Sequence, residues 1–240
     1  MAATPLEIEI PRPRRDRPLY TTAAVLALIV VFTGFARTYY LKGAFGTPDL
    51  STLKHVHGFV MTAWFTLFFV QARLAATGRT QWHRKLGVVG GVVAALVVIV
   101  GTATALVAAK NGATPGPPPL VFLAIPLGDM VVFLGLVSAA ILYRKRPEYH
   151  KRLMLLASLG IITAAIARIP LDFLQAGGLP AFFAATDLII LACVAFDWVR
   201  NRKLHPAMIA GVAVIIGSQA ARFLIAGTPQ WTEFARWLVG

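Results

Sequence analysis

Seven ionisable side chains lie within or beside long apolar runs of this 240-residue chain: Arg37, His57, Asp129, Arg168, Asp172, Asp187 and Arg222. A charge in hydrocarbon is costly unless it meets a partner or a wet cavity. Three arginines, three aspartates and a histidine therefore suit one of two arrangements. In one, acids and bases pair and pin helices together. In the other, they line a pocket that binds, senses or moves a small polar or anionic solute, or protons. There Arg37, Arg168 and Arg222 would supply positive charge, Asp129 and Asp187 would balance it or carry protons, and His57 would add an imidazole. Pro126 and Gly128 precede Asp129. Because Pro126 has no N–H to donate, a broken helix beside a buried acid is expected there.

A second set has another chemistry. His83, His150 and His205 each open an apolar segment, in Trp82-His83-Arg84-Lys85, Tyr149-His150-Lys151-Arg152 and Leu204-His205-Pro206. Together they could ligate a metal ion or haem b, which is the redox alternative. Adjacent cations disfavour a metal and favour lipid phosphates and water. A bis-histidine haem relay needs ligands facing each other from different helices, whereas His55 and His57 share one segment and point opposite ways. No two histidines stand four apart for a zinc hydrolase, and no span interior has a lysine for a retinal Schiff base. No phosphate-cradling loop, nucleophile elbow or Cys-x-x-Cys is present.

The elements that must position these groups are membrane helices. The chain is 58% hydrophobic and 14% charged, with a mean hydropathy of +0.71, too apolar for a soluble domain. Seven segments have about the 20 residues needed to cross a bilayer: roughly 19–41, 52–76, 84–109, 119–143, 150–170, 180–199 and 205–227. The expected fold is all-α, a seven-helix transmembrane bundle over 19–227 after a basic cytoplasmic tail, 1–18. The first apolar run is too long for a signal-peptide core and reads as a retained span. Residues 228–240 are too few to span, and Trp231, Phe234, Ala235 and Leu238 predict a short amphipathic helix in the outer interface. Gly87 and Gly91, four apart on the third span, would let a neighbouring helix approach closely.

Basic residues set the orientation. Arg12, Arg14, Arg15 and Arg17, then Arg73, Arg79, Arg84 and Lys85, then Arg144, Lys145, Arg146, Lys151 and Arg152, and finally Arg200, Arg202 and Lys203 alternate onto one side. They make 16 of the 23 Lys and Arg, which predicts N-in, C-out topology. The net charge of +13 is thus matched to anionic lipid headgroups on the cytoplasmic side, with no nucleic acid implied. The single Cys193 forms no internal disulfide.

Four stretches carry a resemblance: Gly34-Phe35-Ala36-Arg37-Thr38-Tyr39-Tyr40-Leu41; His57-Gly58 with Ala63-Trp64 and Gln71; His83-Arg84-Lys85-Leu86-Gly87; and His150-Lys151-Arg152-Leu153-Met154-Leu155-Leu156-Ala157. Across nearly its whole length the chain resembles a family of uncharacterised bacterial seven-helix integral membrane proteins. Its second and third spans are also similar to a broader family of multi-helix membrane proteins. The resemblance implies a multi-pass protein of the bacterial inner membrane and implies no chemistry.

Overall fold

A computed structural model describes residues 17–240, so the tail expected over 1–18 lies almost wholly outside the described residues. Those residues form helices and no strand. The first helix, α1 (Arg17–Phe35), passes into a π-helical turn, Ala36–Tyr40, and a 3-10 turn, Lys42–Phe45. It is followed by α2 (Thr52–Ala76), α3 (Thr80–Lys110), α4 (Pro119–Phe122), α5 (Ala124–Leu142), α6 (Pro147–Gly160), α7 (Thr163–Ile166), α8 (Asp172–Asn201), α9 (Pro206–Ile225) and α10 (Pro229–Val239). Six helical segments are long and apolar enough to cross a membrane: Pro18–Tyr40, Thr52–Ala76, Thr80–Lys110, Pro119–Leu142, Asp172–Asn201 and Pro206–Ile225. Their outer surfaces carry bare Leu142, Leu224 and Val88, each more than 70% exposed. Such a belt fits lipid as its solvent, because a helix satisfies its own backbone there.

The segment expected as the fifth span departs from a single continuous helix. It breaks after Gly160, and α7 resumes two residues later through the bonds Ile162 N–H to Leu159 O (3.3 Å) and Ala165 N–H to Ile162 O (2.8 Å). This broken element is the centre of the bundle. Leu155, Leu156, Leu159, Ile162 and Ile166 are fully buried, packed among α1, α5, α8 and α9. It can afford a break because protein, not lipid, surrounds it.

Close approach falls at other glycines than those expected from the sequence. A side chain at Gly91 would meet nothing, and one at Gly87 would only touch the Gln71 amide at 3.7 Å. At Gly34, by contrast, a Cβ would lie 2.1 Å from the Ala165 carbonyl oxygen, so α1 and α7 cross in backbone contact. A Cβ at Gly128 would stand 2.3 Å from Arg222 Nε, and one at Gly211 would stand 2.4 Å from Leu156. The first of these two contacts makes room for a buried guanidinium.

Two further expectations are modified. Between α4 and α5 the helical bonding lapses at Leu123, which keeps αR angles (φ −55°, ψ −28°), because Pro126, four residues after Phe122, has no N–H to donate. The break is thus a missing bond and no sharp bend, and Asp129 stands on the continuous helix that follows. The C-terminal α10 does form, capped by Thr228, yet it is docked on the bundle. Ala235 is fully buried with Ala105, Ala109 and Leu123, and Trp231 Nε1 donates to the Leu120 carbonyl at 2.8 Å. Phe234 and Trp237 form its exposed aromatic face.

Candidate functional site

Helical spacing places Met208, Gly211, Ile215, Ser218 and Arg222 on one stripe of α9, and His57, Met61, Trp64, Phe68 and Gln71 on one stripe of α2. On α9, Met208, Gly211, Ile215 and Arg222 are buried. On α2, Trp64 and Phe68 are buried while His55 is exposed. The expected six-residue pocket nonetheless divides in two.

The first group is paired. Arg222 Nη1 donates to Asp129 Oδ1 at 2.6 Å, with the two side chains only 5% and 13% exposed. The rest of the guanidinium is also satisfied. Nε and Nη2 donate to Ser218 Oγ at 3.1 and 2.9 Å, and Nη1 also reaches the Ile125 carbonyl at 3.3 Å. The Phe183 ring lies 5.7 Å from the guanidinium carbon. Three positions earlier on α9, buried Gln219 donates Nε2 to Asp187 Oδ1 of α8 at 2.9 Å. The Arg222 charge of α9 is thus tied to an acid on α5, and the neutral Gln219 amide to one on α8. A charge-assisted bond between buried groups fixes helix register strongly.

The second group has no carboxylate among the described residues. Arg168 is exposed, donates Nη1 only to the Ala164 carbonyl of its own segment (2.6 Å), and stacks over Phe35 at 4.7 Å. The contact of Gly34 with Ala165 explains the stack, since it sets Arg168 and Phe35 side by side one turn on. Gln175 braces the chain beneath by donating Nε2 to the carbonyls of Ala167 (3.2 Å) and Ile169 (2.9 Å). Half-buried His57 lies within electrostatic reach of Arg168. Tyr39 covers the adjacent Gly58, where a Cβ would be 2.4 Å from its ring, and Tyr40 shares a 2.8 Å hydrogen bond with Thr62. Arg37 is exposed on the π-helical turn, its guanidinium 5.3 Å from the Phe45 ring. π-helical turns inside α-helices are rare and concentrate at functional sites. Asp172 is exposed at the start of α8 and joins neither group. In the loop beyond, Asp49 is bonded by Lys42 at 2.5 Å, and that ammonium holds its carboxyl below the usual range.

At the opposite end the three histidines are differently employed. His83 and His150 place Nδ1 on the carbonyls of Gln71 (3.3 Å) and Ala140 (2.8 Å), and their rings meet edge-to-face at 6.1 Å. His205 instead caps α9, with Nδ1 accepting from the Ala207 N–H at 3.1 Å, and its ring packs on Tyr149. Among the described residues no three His, Cys, Asp or Glu converge as a metal-holding group.

Sequence reasoning missed the most buried charges of all. Arg152, counted above as a loop cation, is 2% exposed and donates Nε and Nη2 to the two oxygens of Asp197 at 3.0 and 2.8 Å. Its Nη1 bonds Glu148 Oε2 at 2.7 Å, and Asn201 Nδ2 donates to Asp197 Oδ1 at 3.1 Å. The available signal was Asp197 itself, a lone acid inside Cys193-Val194-Ala195-Phe196-Asp197-Trp198-Val199. Gln219 was missed because a neutral amide gives no charge signal.

Compared with protein-family models, curated proteins and solved structures, the chain finds no match in any of the three.

Proposed function

We infer that the chain is a seven-pass protein of the bacterial inner membrane that receives a small anionic solute from the outer side. The N-terminus would be cytoplasmic and the C-terminus outside, with α6 and α7 together making the interrupted crossing. The reading rests on one contrast. Arg152 and Arg222 are buried against carboxylates, whereas Arg168 is exposed, held flat on Phe35, and has no acid among the described residues. A guanidinium fixed in this way keeps a free edge for a carboxylate or phosphate. Arg37 would add positive potential at the rim and His57 an imidazole, and Asp129 and Asp187 would serve as the charge-balancing or proton-bearing groups.

The direct Arg222–Asp129 contact favours a second reading for that pair alone, that of pinning α5 to α9, as in a structural or assembly subunit. The experiment is a melting series of the detergent-solubilised protein with small carboxylates, inorganic phosphate and chloride. At least one oxyanion should raise the melting temperature of the wild type, and Arg168→Gln should abolish that shift while leaving the ligand-free melting temperature unchanged. A shift that survives Arg168→Gln, or no shift with any oxyanion, argues against an anion receptor and leaves the structural reading.

A further inference from the structure

From Leu50 to Gly128 the sequence contains no Asp or Glu. The α2–α3 hairpin therefore cannot neutralise its own cations, and no described ion pair reaches Arg73, Arg79, Arg84 or Lys85. Its tip is a tight αL turn. Gly78, at φ +76°, lets the Arg79 N–H return to the Leu74 carbonyl at 2.9 Å, and Thr77 Oγ1 bonds the Arg73 carbonyl at 2.9 Å. This is the 6→1 closure of a Schellman turn. It folds Arg79 back over the last turn of α2, beside Arg73. A groove of ≈ 330 Å³ opens there, lined by Phe69, Val70, Arg73, Leu74, Thr77 and Arg79. One end of it is apolar and runs up the lipid-facing helix, and the other is edged by two exposed arginines.

We propose that this groove is a binding site for one anionic phospholipid, with the phosphate between Arg73 and Arg79 and an acyl chain along Phe69, Val70 and Leu74. The pairing of a greasy wall with two cations that no acid among the described residues pairs matches the two parts of such a lipid and no soluble anion. Trp82, 63% exposed with Lys85 5.3 Å from its ring, stands on the next turn where an interfacial aromatic belongs. A second groove, lined by Gln81, Arg84, Lys85 and Val88, has one apolar residue instead of three and serves as the internal control. The site does not depend on the solute site at the other end of the bundle.

The full-length protein is delipidated in a non-ionic detergent and titrated with phosphatidylglycerol or phosphatidylcholine of identical chains, with retention read by native mass spectrometry. One phosphatidylglycerol should be retained in preference to phosphatidylcholine. Arg73→Gln with Arg79→Gln should weaken its retention roughly 30-fold, from two near-surface charges, and Arg84→Gln with Lys85→Gln far less. Phe69→Ala with Leu74→Ala, which keeps both charges, should also lower retention. Equal binding of the two lipids, equal weakening by the two charge variants, or full displacement by inorganic phosphate overturns the proposal.

Discussion

Replacing Arg152 by Met should be among the most damaging single changes to the fold, about 3–5 kcal/mol. The guanidinium is the principal partner of Asp197, whose side chain is 2% exposed, and without it a carboxylate is left deep in the bundle with only the Asn201 amide. Asp197→Leu should cost less, because Arg152 keeps Glu148 through both its carboxylate and its carbonyl. Combining the two should restore much of the loss, since a buried ion pair exchanged for apolar side chains of similar volume is often neutral. Unfolding of the solubilised protein in a denaturing-detergent titration checks all three variants. If Arg152→Met were as stable as wild type, the salt bridge between α6 and α8 would not be part of the fold.

Asp129→Leu should have the next largest effect, about 3 kcal/mol. Arg222 cannot shed its proton, so losing Asp129 strands a permanent charge that is held only by Ser218 and the Ile125 carbonyl. Arg222→Met should be milder, because the acid left behind can neutralise itself by binding a proton. The same titration reads both, and the asymmetry is the informative quantity. Equal costs would mean that Arg222 reaches water or lipid phosphate and does not need its acid.

Helix positions were legible because an apolar run of about 20 residues has few other uses. The buried faces of α2 and α9 were legible because a 3.6-residue period leaves one stripe. The pairing of Asp129 with Arg222 lies 93 positions apart, and spacing within one helix carries no information about which helix faces it. The interrupted central segment was hidden for a related reason. Gly160-Ile161-Ile162 reads as ordinary membrane helix, and only its burial by four neighbours allows the break. Arg152 was misplaced because its type and its position among loop cations suggest water, while its burial is decided by an acid on α8. The split between a paired and an unpaired half of the polar cluster is likewise tertiary. It depends on the Gly34 contact with Ala165 that turns Arg168 onto Phe35.

The most direct measurement concerns His57, the residue beside Arg168 on the face proposed to be open outward. Cys193, the only cysteine, is buried and can be replaced by Ala, and His57→Cys then gives one reporter thiol. In intact cells a membrane-impermeant maleimide should label that thiol, and the oxyanion that raises the melting temperature should slow labelling. Labelling that appears only after the inner membrane is opened would contradict both the orientation and the outward-facing cationic site.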